Sequence, residues 1–351
     1  MAALIEPRVA VAVARRVAGG GSLQSSYLLE RLHRDLAVAV PRAEELVAEA
    51  SGIPKPPSSE WEVIDRAHWV EANIRGMIVL LGPLAEGIED RLRGVPVPLR
   101  IGQKAAVSVE VGLLLGYISR RVLGQYDLLV GAEDSSDAGA VYFVGANMVE
   151  TERRFGFVPD EFALWVAVHE ITHRFQFEGV PWLRERFLGL VHSYLSAVEL
   201  DAKDFARRLA HAGRRLVSRD VPSEEKSPVY LLATEEQRSA LDQIQALMAV
   251  VEGHGNFVMD EVGAEVIPTF GQMRHLFQVR RRQQNLLQKL VANAIGLEMK
   301  MRQYELGQSF CEAVAAESGA EALTYMWQDP THLPTMAELR SPGAWLARIA
   351  A

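Results

Sequence analysis

Apolar positions recur at three- and four-residue spacing through most of this chain, a period that predicts helices rather than strands. Residues 6–18 and 23–51 carry Ala, Leu, Arg and Glu at that spacing, and Gly19-Gly20-Gly21-Ser22 breaks one helix from the next. The run Ile53-Pro54-Lys55-Pro56-Pro57-Ser58-Ser59 reads as a connector, after which residues 61–93 and 102–122 resume a helical pattern. Residues 138–144 are different: they are rich in β-branched and aromatic side chains and are followed by Gly145 and Asn147, so they read as a strand. A helix over 161–177 comes next, with Asp160 as N-cap and Gly179 and Pro181 as the stop. Thr234 and Gln237 form a capping box that opens another helix, striped by Leu241, Ile244, Leu247, Met248 and Val251. Residues 218–230 read as a surface loop, 283–304 as a long helix, and the tail after Trp327 as short turns around Pro330, Pro334 and Pro342. The expected class is mainly α with a small β element.

Composition narrows this picture only a little. With 351 residues and 49% hydrophobic positions the chain can bury a real core, and we expect a single unit over 1–351. Within it, 1–95 reads as a helical N-terminal part. The net charge of −8 argues against a nucleic-acid surface. The run Arg280-Arg281-Arg282 is expected on a solvated face at the start of a helix. One cysteine, Cys311, excludes an intrachain disulfide and a cysteine zinc cluster, which fits a cytoplasmic setting. Residues 77–84 and 111–118 are the most apolar stretches and read as buried core, too short to span a membrane.

The chemistry concentrates in His169-Glu170-Ile171-Thr172-His173. On a helix, His169 and His173 project from one face and can share one metal, with Glu170 turned about 100° away. Neutral imidazoles suit zinc, which lowers the pKa of a bound water to about 7, and a neighbouring carboxylate can serve that water as general base. The flank Leu164-Trp165-Val166-Ala167-Val168 is apolar, so the site is expected to be buried. The metzincin extension is missing, because Gln176 and Gly179 stand where that pattern wants Gly and His. A third ligand must come from elsewhere, and Glu252 in Glu252-Gly253-His254-Gly255-Asn256 is the first candidate. It borders the apolar stripe of its helix, Gly255 leaves room for close approach, and Asn256 can hydrogen-bond a ligand histidine. His254 is the rival ligand and, failing that, an oxyanion donor; His192 and Glu199 are weaker rivals. Arg302 and Tyr304 are candidate oxyanion donors, and Trp182 can line the entrance. There is no Gly-x-Ser-x-Gly elbow and no Walker loop.

These residues carry a resemblance. Val122–Asp127, the stretch 162–184, Glu252-Gly253-His254, residues 296–304 and Leu333-Pro334-Thr335 together resemble a zincin-like family of actinobacteria and Chloroflexi, whose members are labelled hydrolases or coenzyme F420 biosynthesis-associated proteins. The resemblance implies a mostly helical zincin-like metallopeptidase fold, with the metal site in residues 96–351, and no established substrate. The first reading is therefore a one-zinc hydrolase of peptide or small amide bonds, with His169, His173 and Glu252 as ligands and Glu170 as base, and with neither nucleic acid nor membrane as partner. The second is a non-catalytic scaffold or partner-binding protein that keeps a structural zinc.

Overall fold

The computed structural model describes residues 5–19, 26–57, 60–82, 96–128, 139–196, 234–282 and 297–350. It is mainly helical. Two compact units emerge from the backbone contacts, one of residues 1–184 with 255–279 and one of residues 185–254 with 280–351.

In the first unit α1 (Pro7–Ala18) packs on α4 (Val97–Ser119), α3 (Arg66–Leu80) closes on both, and α2 (Tyr27–Ser51) packs along α6 (Pro159–Gly179). Between α2 and α3 lies β1 (Trp61–Ile64); β2 (Gly124–Asp127) and β3 (Ala140–Val144) complete a three-stranded sheet of order β1-β3-β2. β3 runs parallel to β1, pairing Val141 with Trp61, and antiparallel to β2, pairing Phe143 with Gly124. It is the central strand, which is why Val141, Phe143 and Val144 are fully buried. β1 falls where helical spacing was expected. Its four residues are too few to show a period, and what makes them a strand is the distant partner β3.

α5 (Gly145–Phe155) follows β3 directly, and the left-handed Gly156 (φ 66°) ends it. α6 begins two residues earlier than expected, and Asp160 is not its N-cap. Val158 is the N-cap and Pro159 takes the first helical position, where its missing N–H costs nothing. Asp160 and Glu161 then sit in the first turn, where negative charge suits the helix dipole. The Glu161 carboxylate accepts from the backbone N–H (2.9 Å) and hydroxyl (2.5 Å) of Thr269, just before α9 (Phe270–Arg282). Phe277 of α9 packs its ring on Trp165 at 4.6 Å and on Phe157 at 5.9 Å, fixing the start of α6 from a second side. The backbone of Arg280–Arg282 lies in the last turn of α9, where the start of a helix was expected.

α4 departs from expectation. The stretch 111–118 belongs to a helix of 23 residues that is long and apolar enough to cross a bilayer by length and composition, and only 22% of its most apolar window is buried. Ala10 and Ala14 of α1 cover one side of its C-terminal half, while Ile101 and Leu113 stay exposed.

The second unit contains α7 (Leu183–Ser196), the N-terminal part of α8 (Glu235–Val266), α10 (Leu297–Ser318) and a tail of short helices. The capping box that opens α8 is present: Thr234 N–H donates to Gln237 Oε1 (2.8 Å) and Gln237 N–H to Thr234 Oγ1 (3.0 Å). In the tail, Trp345 is fully buried, donates its ring N–H to His332 O (2.7 Å) and meets Phe310 edge-on at 5.3 Å. The surface loop expected at 218–230 lies outside the described residues, as do Glu199 and most of the helix expected at 283–304.

Candidate metal centre

α6 is buried almost all round, from Phe162 to Gln176, so each polar side chain on it needs a partner. Thr172 donates back to Val168 O (2.7 Å). Arg174, fully buried, donates to Glu44 Oε1 (2.6 Å), to Glu178 Oε2 (3.1 Å) and to Pro57 O. Lys55 adds a second cation to Glu44 (3.3 Å). Glu178 also receives the Tyr126 hydroxyl (3.2 Å), and the Tyr126 ring stacks on Phe177 at 6.0 Å. Burial, reinforced by Glu178, pushes the Tyr126 hydroxyl well above the usual tyrosine range. This network clamps α6 to α2 and to β2.

Glu170, Arg174 and Glu178 are successive members of one ridge of α6, each a turn apart. β2 crosses that ridge. Tyr126 meets Glu178, and Gly124, two residues back on the same face of the strand, meets Glu170. A Cβ at 124 would stand 2.6 Å from Glu170 Cγ and 2.7 Å from Oε1. Only glycine leaves room for this carboxylate, which is 5% exposed.

On the neighbouring ridge His169 and His173 are half-buried, with their rings edge to face at 4.6 Å. Their Nε2 atoms are 3.3 Å apart. Two nitrogens held at zinc distance in tetrahedral geometry would be separated by about 3.3 Å. The pair is thus already spaced for one shared cation. On the far side of the His173 ring, Nδ1 meets Gln176 Oε1 at 3.0 Å, and Gln176 is fully buried.

The third donor comes from α8. This helix is continuous through Gly255, where a Cβ would stand 3.2 Å from His173 Cε1 and 3.8 Å from His169 Cε1. One turn earlier is Glu252. Its carboxylate and one ring nitrogen from each histidine lie within 4.8 Å of one another, all three residues being half-buried. The neighbouring residues of the segment face elsewhere. Gly253 meets the backbone of Gly307 and Gln308 in α10, where neither glycine can gain a side chain without the helices parting. His254, 1% exposed, stands edge-on to the Trp327 ring at 5.1 Å. Asn256 is buried a turn beyond Glu252. His192 is exposed on α7 and Trp182 is half-buried. Arg302 and Tyr304 lie within α10, their side chains outside the described residues.

Three residues of this site escaped sequence reading. Gln176 looked like a mismatch to a known pattern, although its spacing of three from His173 puts it on the adjacent turn. Gly124 could be found only through β2. Arg174 looks like a surface charge until Glu44 is placed beside it.

The family model for zincin-like metallopeptidases matches residues 5–346. A crystal structure described as "a putative hydrolase with a novel fold", from Chloroflexus aurantiacus, is 31% identical in sequence, covers 99% of each chain and superposes with a TM-score of 0.71. No curated protein matches. The chain belongs to the zincin-like metallopeptidase family.

Proposed function

We propose that the chain is a zinc-dependent hydrolase of peptide or small amide bonds, holding one zinc ion through His169, His173 and Glu252. The observation that carries this reading is the 3.3 Å spacing of the two Nε2 atoms, with the Glu252 carboxylate grouped beside them. Two imidazoles and one carboxylate suit zinc and leave a coordination position for water or substrate. When bound, zinc acts as a Lewis acid that acidifies water and polarises a carbonyl.

The other steps fall to the chain itself. Glu170 takes the proton of the attacking water on its carboxylate and delivers it to the leaving amine. Its packing over Gly124 keeps the side chain buried. Among the described residues β2 is one of the two outer strands of the sheet, and an extended peptide added along it at Gly124 would run past Glu170. That favours a peptide over a compact amide.

The scaffold reading needs a fourth protein ligand. His254, the nearest candidate in sequence, packs instead against Trp327, and the three grouped donors remain half-exposed. Both facts support the catalytic reading.

The test is zinc content together with turnover of a peptide library read by mass spectrometry. Wild type should carry one zinc and cleave; Glu170→Gln should keep the zinc and lose cleavage. An unchanged rate in Glu170→Gln removes the mechanism.

A further inference from the structure

Gln176 is fully buried and its Oε1 lies 3.0 Å from His173 Nδ1. A carboxamide oxygen only accepts. The ring nitrogen facing it must therefore carry the proton, and Nε2 of His173 is left with a bare lone pair directed at His169. The two Nε2 atoms are 3.3 Å apart, and such a contact is a hydrogen bond only if one nitrogen donates. His173 cannot donate from that side, so its Nε2 lone pair is available to a metal shared with His169.

We propose that Gln176 fixes the tautomer of His173, so that its Nε2 is preset to take up the metal. His173 is preset, with its proton on Nδ1 in both the metal-free and metal-bound protein. Gln176 is a positioning residue in this account, since it touches neither metal nor substrate. Its neutral amide orients the ring without adding a negative charge. The glycine that metzincins carry at this position could not do so.

The inference rests on the metal-site reading above, and one experiment separates their failures. Ring-nitrogen NMR of the intact protein, at a pH where both imidazoles are neutral, reports each tautomer directly. Metal-free wild type should show His173 protonated at Nδ1. Adding zinc should leave the His173 pattern unchanged. Gln176→Met removes the acceptor at similar volume and should weaken zinc binding by about 10–100-fold while mixing the His173 tautomers. Gln176→Glu restores an acceptor and should recover both. A metal-free wild type with His173 protonated at Nε2 overturns the proposal, as does wild-type zinc affinity in Gln176→Met. The wild-type spectrum decides even if the Met variant does not fold. A protein that takes up no zinc overturns the metal-site reading, while the metal-free spectrum still judges the Gln176 bond.

Discussion

Two adjacent ridges of α6 carry polar side chains into the interior, and they resolve their burial in opposite ways. On one, Arg174 meets Glu44 and Glu178 in ion pairs of 2.6 and 3.1 Å, and Tyr126 caps the arrangement. Charges there are matched within the chain. On the other, His169 and His173 turn their Nε2 atoms towards each other, and Glu252 joins them. Here donors of one kind converge, as the proposed zinc site requires. The first ridge holds the helix; the second uses it. Glu170 belongs by geometry to the first, held against Gly124, and in the proposed mechanism acts at the second.

If that division is right, substitutions on the two ridges should separate function from stability. Glu170→Gln should show the largest effect. Peptide cleavage should fall by about 10²–10⁴, the usual worth of a general acid–base group, with melting temperature and zinc content unchanged. Arg174→Met should do the reverse. Leaving Glu44 and Glu178 without their buried partner should cost about 3–5 kcal/mol in denaturant unfolding, with zinc still bound by the folded fraction. A drop in zinc affinity as large as the loss of stability would dissolve the distinction.

Gly255→Ala probes the approach of α8 to the histidine ridge. Its new Cβ would stand 3.2 Å from His173 Cε1, so the ring must shift by a few tenths of an ångström. We expect weaker zinc binding by calorimetry, on the order of 1 kcal/mol, as for other overpacked sites. Tyr126→Phe should have the smallest effect, about 1 kcal/mol of stability at neutral pH from the lost hydrogen bond. It also has a sign in pH. Burial and Glu178 raise the Tyr126 ionisation in the folded state, so this stabilisation is complete below the ordinary tyrosine range and is lost above about pH 10. Alkaline unfolding curves of wild type should therefore fall more steeply there than those of Tyr126→Phe.

Local signals were legible in the sequence. The Thr234 and Gln237 capping box lies within four residues, and the structure contains both of its hydrogen bonds. The helical spacing of His169 and His173 was equally local. What was not legible depends on distant partners. Trp61–Ile64 is a strand because β3 pairs with it, and Gly124 matters because Glu170 fills its missing side chain. Val97–Ser119 shows the same limit from the other direction. Hydropathy marked part of it as core, yet burial requires a neighbour, and α1 covers only one side of its C-terminal half. Gln176 was visible but weighed against a pattern from another subclass; its meaning came from the 3.0 Å contact with His173.

The central claim is that His169, His173 and Glu252 hold one zinc ion with a position left open. Anomalous X-ray diffraction at the zinc edge, from crystals grown with zinc, tests it directly. The account predicts a single strong peak bonded to both Nε2 atoms and the Glu252 carboxylate, with no fourth protein ligand. A peak that leaves out Glu252, a fourth ligand such as His254, or no peak at this site would contradict it.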